Sequence, residues 1–131
     1  MHESTAVRDA LLGFYAAFTA NDPDRFDREI LARVDDAMMI GTAPHEFHVG
    51  REKIVREFGM EGVGLRAGGA LRAWEDGSVG WAADTPVFTL PGGPELETRM
   101  TSVWRREDGR WKLVQAHFSV GIADEEAAGH E

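Results

Sequence analysis

Cysteine is missing from the 131 residues altogether. Its absence excludes disulfides, thiolate catalysis and thiolate metal centres. Basic residues are scarce as well, 14 Lys and Arg against 23 Asp and Glu, for a formal charge of −9. A field of that sign repels phosphate backbones and anionic headgroups, so neither nucleic acid nor a membrane is an expected partner. No apolar run approaches the ~20 residues of a membrane span. Met1–Arg8 (MHESTAVR) lacks the basic-then-apolar order of a secretory leader, and the expected location is the cytoplasm.

What is present is an ordinary globular composition, 43% hydrophobic and 28% charged, in a length that suits one domain. The expected domain is 1–123, followed by an acidic tail, 124–131, expected to be disordered. Val7, Leu11, Phe14 and Phe18 recur at helical spacing. Asn21-Asp22-Pro23 ends that helix and starts a second, with Asp22 as cap and Pro23 in the first turn, running to about Arg33. A short strand, Ala37–Thr42, and a third helix, Arg51–Phe58, follow.

From Gly62 the pattern becomes strands. Asp76-Gly77 and Asp108-Gly109 predict tight hairpins, and Pro91-Gly92-Gly93-Pro94 a wider turn, dividing Leu65–Ile122 into a four-stranded antiparallel meander. Counting outward from these turns sets Trp74 against Val79, Trp81 against Trp104, Ser102 against Gln115 and Met100 against His117. All four tryptophans then share the face that the helices cover. Further along the same face come Ser102, Gln115, Met100, His117 and Ser119, a polar row inside aromatic walls, as small-molecule cavities are built. His117 is the candidate catalytic acid/base of this row, with a structural core histidine as the other reading. The opposite face, with Val103, Ala82, Ala116 and Phe118, is too apolar for water and predicts a homodimer through the outer sheet face.

The ANDPDRF link, the GTAPHEFHVGREKI stretch and the DGRWKLVQAHFSVG ending, in this order, resemble the nuclear transport factor 2-like superfamily, closest to its SnoaL-like branch. The resemblance spans about residues 5–122. It implies an α+β cystatin-like cone fold: three N-terminal helices packed on a strongly curved, mostly antiparallel sheet that forms a barrel with an interior pocket. It implies a ligand pocket of Phe14, Phe18, Met39, Trp81, Met100, Ser102, Trp104, Gln115, His117 and Ser119. The acid, base and tyrosine of steroid isomerases have no counterparts: Phe14, Gly41 and Ser102 stand at those places, with Tyr15 one position off. Asp84 falls on the outer face by the register above, so no inward carboxylate accompanies His117.

His45, Glu46 and His48 lie within four residues of one another in the GTAPHEFHVGREKI stretch. Their spacing is one short of the i, i+4 pair of zinc proteases, and Pro44 and Gly50 make a loop of the segment. It is expected to be a lid at the pocket mouth, with His45, Glu46 and His48 available to a ligand and no metal or other cofactor bound. The function expected is binding of a small hydrophobic, carbonyl-type ligand, or isomerase, cyclase or dehydratase chemistry on one. The alternative is a homodimeric association module with a vestigial pocket.

Overall fold

The computed structural model describes residues 1–129. Helix α1, Thr5–Thr19, starts where Ser4 Oγ accepts the Val7 N–H at 3.0 Å. Val7, Leu11 and Phe14 of the expected stripe are buried, with Tyr15 and Ala17 beside them, and Phe18 is half-buried. Asp22 caps the next helix as expected, accepting the Arg25 N–H at 3.0 Å with Pro23 in the first turn. That helix, α2 (Pro23–Arg25), runs into a π-helical turn, Phe26–Ile30, closed by Leu31 N–H to Phe26 C=O at 2.9 Å. It ends earlier than the sequence suggests because Leu31 bridges to Leu113 and Ala32 N–H donates to the Leu113 carbonyl. Helix α3, Arg51–Arg56, is tied to this turn by Arg51, which donates to the Ala32 carbonyl at 2.6 Å and pairs with Asp27.

The strands are β1 (His2–Glu3), β2 (Met38–Ile40), β3 (Phe47–Val49), β4 (Gly64–Arg66), β5 (Arg72–Asp76), β6 (Val79–Asp84), β7 (Val87–Thr89), β8 (Glu95–Glu97), β9 (Arg99–Glu107) and β10 (Arg110–Ser119). Seven form a sheet in the order β1-β5-β6-β9-β10-β2-β3, antiparallel except where β2 runs parallel to β10. The other three form a second sheet, β4-β7-β8. The α+β class and a curved, mostly antiparallel sheet are as expected, but the sheet is not closed into a barrel. The extra sheet arises because the chain leaves β6 at Thr85-Pro86 and returns at Thr98, whose N–H donates to the Pro86 carbonyl at 3.0 Å. The segment expected to be disordered carries a short helix, α4 (Asp124–Ala128), with no buried residue; residues 130 and 131 lie outside the described residues. No helix among the described residues is long and apolar enough to cross a membrane.

Two details of register correct the expected faces. The Pro91–Pro94 turn closes with Leu90 N–H on the Pro94 carbonyl at 2.8 Å, leaving three residues in the loop rather than four. The count across it therefore changes by one, and Trp81 meets Val103 while Gly80 meets Trp104. In β10 a bulge at Val114 sets Leu113 against Trp104 but Gln115 against Val103. Because side chains alternate, a change of one residue exchanges the faces. Ala82, Asp84, Ala116 and Phe118 turn inward; Trp81, Gln115, His117 and Ser119 turn outward.

Candidate functional site

A cavity of about 340 Å³ opens between α1, α3, the inner side of the large sheet and the second sheet. Its walls are phenylalanine: Phe14 and Phe18 from α1, Phe58 after α3, Phe88 from β7 and Phe118 from β10. These rings pack edge-on or tilted, with Phe18 on Phe88 at 5.5 Å and Phe88 on Phe118 at 5.4 Å. Phe26 braces the wall from behind, stacked on Phe58 at 4.0 Å. Leu65, Leu90 and Leu96 of the second sheet and its turn close the side opposite β2.

The polar end is built by β2, β3 and the loop between them. Met39 and His48 are partners across β2–β3 and both line the cavity. Glu46 lies two residues before His48, so alternation places it on the same side, with Phe47 and Val49 facing out. Its carboxylate turns back over the loop and accepts the Ala43 N–H at 2.8 Å. Gly41 makes room for this: a Cβ there would stand 2.8 Å from the Glu46 side chain. His45 and Glu57 complete the rim. His48 Nδ1 is, among the described residues, the one buried side-chain N or O atom without a hydrogen-bond partner. Buried polar atoms are normally paired, so this unpaired nitrogen on a lining residue stands out.

Of the expected pocket residues, Phe14, Phe18 and Met39 line this cavity, as do the rim residues His45, Glu46 and His48. Met100, Ser102 and Trp104 do turn inward, but they are buried outside the cavity lining, with Trp104 Nε1–H donating to Ser102 Oγ at 2.9 Å. Trp81, Gln115, His117 and Ser119 lie on the outer face, away from it. His117 is exposed, paired in register with Thr101 and Ile40. The inward position read for His117 is overturned by that register, and the cause is the bulge at Val114. Phe58, Phe88 and Phe118 were missed; Phe118 carried a signal, but it was assigned to the outer face.

Asp84 corrects a second expectation, for its carboxylate is buried and accepts the Tyr15 hydroxyl at 2.9 Å. Burial first, then the charge and hydrogen bond of Asp84, hold the Tyr15 hydroxyl far above the usual tyrosine range. Neither residue lines the cavity. No group of three or more His, Asp or Glu among the described residues is spaced to hold a metal ion.

Several solved structures share the fold. A protein of unknown function described as NTF2-like, from Pseudomonas putida KT2440, superposes with a TM-score of 0.76 at 17% identity, covering 95% of this chain and 94% of that one. A candidate calcium/calmodulin-dependent protein kinase II association domain from Xanthomonas campestris gives 0.72 at 20% identity, over 92% and 97%. A candidate dehydratase of the NTF2-like family from Streptomyces avermitilis gives 0.67 at 20% identity, over 90% and 96%. None of the curated proteins matches the chain. The SnoaL-like domain profile matches residues 7–123, nearly the whole length, and the chain is a member of that family.

Proposed function

We propose that the chain binds a small apolar molecule of carbonyl type in the phenylalanine-walled cavity, as a binding protein or as an enzyme of the isomerase, cyclase or dehydratase kind. The observation that carries this reading is the cavity itself: about 340 Å³ of apolar space with His48 Nδ1 unpartnered in its wall. Apolar walls with a few polar groups at one end are how small-molecule sites are made. The likeness to a candidate dehydratase supports the enzymatic form. The proton-handling role falls to His48 with Glu46 beside it, since His117 is outside.

A second reading, the homodimeric association module, rests on the outer face. One row across the sheet runs Val49, Met38, Gln115, Val103, Trp81 and Trp74, five of six apolar. Val49 is 51% exposed and Val103 37%, beside Phe47 at 54%. Such a row is suited to a second copy of the chain, and the likeness to a candidate association domain agrees with it. The two readings are compatible: one face can associate while the other holds a ligand.

Thermal melting against a panel of ketones, steroids and aromatic compounds tests the first reading, because binding to the native state raises the melting point. The variant Met39→Trp fills the cavity from β2. Stabilisation by panel members that is lost in Met39→Trp supports a ligand site. A panel that leaves the melting point unmoved, with a dimer in solution, leaves the association module standing alone.

A further inference from the structure

We infer that the cavity takes ligands whose polar end is neutral or cationic and refuses carboxylates and phosphates. The inference rests on the ligand-site reading above and adds a charge class to it. The ionisable side chains of the cavity lining are Glu46, Glu57, His45 and His48; neither lysine nor arginine is among them. The nearest cations of α3 are already paired. Lys53 Nζ reaches the Phe47 carbonyl at 3.5 Å. Arg56, outside the lining, pairs with Glu52 at 3.9 Å and with the rim residue Glu57 at 3.8 Å, which leaves Glu46, among the described residues, as the rim carboxylate without a cation.

An anion could still be held by backbone N–H groups, as at many phosphate sites. The rim loop spends three of its N–H groups on itself. Gly41 N–H donates to the Glu46 carbonyl at 2.7 Å, Ala43 N–H to the Glu46 carboxylate at 2.8 Å, and Glu46 N–H to the Ala43 carbonyl at 2.9 Å. All three donors are used within the loop, and one of them fixes a carboxylate at the mouth. A carboxylate arriving there would meet the like charge of Glu46, with no lysine or arginine in the lining to offset its lost hydration. An ammonium meets the opposite situation: the Glu46 carboxylate at the rim and aromatic rings within. A ketone lies between, since His48 Nδ1 can serve it without any change of charge.

Gly41 is part of this arrangement. Its missing side chain leaves the space in which the Glu46 carboxylate folds back. The charge is thus held by the loop and does not depend on a flexible side chain in solvent.

The test uses one skeleton with three polar ends: benzylacetone, phenylbutylamine and phenylbutyrate, titrated calorimetrically into the native protein and into Glu46→Gln. Glutamine keeps an oxygen for Ala43 N–H, so the loop retains its hydrogen bond while losing the charge. The expected result is binding of the ketone and the amine, with the acid at least roughly tenfold weaker than the ketone at low salt. Glu46→Gln should narrow the gap between amine and acid, as should added salt. Binding of the acid as tightly as the ketone overturns the inference and leaves the ligand site intact. An unchanged gap in Glu46→Gln overturns it too. If none of the three binds and the wider apolar panel also fails, the ligand-site reading has failed first and takes the inference with it.

Discussion

Tyr15 and Asp84 are 69 residues apart in the chain and joined by a hydrogen bond of 2.9 Å inside the protein. The bond fastens α1 to the end of β6. The same carboxylate accepts the Thr85 N–H at 2.7 Å and the Gly68 N–H at 3.1 Å. Gly68 must be glycine here, because a Cβ would lie 1.9 Å from the Thr85 carbonyl oxygen. Tyr15→Phe removes one of three donors from a buried carboxylate. The expected loss is about 1–3 kcal/mol in denaturant unfolding. Loss well below that range would mean that water replaces the hydroxyl.

Tyr15 also sets an alkaline limit. Its folded pKa is raised, by burial foremost, so the fold favours the protonated hydroxyl. The stabilisation is complete below the unfolded tyrosine pKa of about 10 and is lost as the pH climbs from there towards the raised folded value. Stability should therefore fall above about pH 10, by at most about 1.4 kcal/mol per pH unit from this group. Tyr15 is the only tyrosine in the chain, so tyrosinate absorbance reports it alone. Absorbance should rise together with unfolding; ionisation in a protein still folded by circular dichroism would contradict the assignment.

Ser102→Ala should destabilise by about 1–2 kcal/mol, although it deletes a single oxygen. Trp104 is 1% exposed and gives its Nε1–H to that oxygen at 2.9 Å. Without it the indole N–H is buried and unpaired. Ser102→Thr, which keeps the hydroxyl, should recover part of the loss in the same thermal unfolding experiment.

Val103→Asp places a charge in the middle of the outer apolar row. Its expected effect is on association, with the dimer giving way to monomer in light scattering while the monomer's fold persists by circular dichroism. A protein that is monomeric before the substitution removes the outer face as an interface.

The legible parts of this structure were local ones. The stripe on α1, the Asp22-Pro23 start and the Asp108-Gly109 hairpin depend on neighbours in sequence, and all three occur as expected; Asp108 and Gly109 both take positive φ, 51° and 78°. What was not legible was parity over distance. Val114 looks like any strand residue, and nothing in its type announces a bulge. The Pro91–Pro94 turn names its residues but not how many lie outside the ladder. Each error of one residue reversed a face, which is why His117 and Gln115 were placed inside. His48 and Glu46 do line the cavity, and the polar stretch that carries them stands out over six residues or fewer, where no count can drift. Phe58 was expected at the end of the third helix, yet that its ring walls the cavity only packing could show.

The bulge has one more consequence, for changes in chain length. Removing a residue from a central strand ordinarily inverts every side chain beyond it. In β10 the surplus residue already lies off the ladder, between Leu113 and Gln115, which pair with the consecutive residues Trp104 and Val103. Excising Val114 would restore simple alternation and leave Ala116 and Phe118 indoors, with His117 still outdoors. At that position the protein carries slack: a deletion there would straighten the strand without rewriting either surface, so the length of β10 can vary by one while both the cavity wall and the outer row keep their membership.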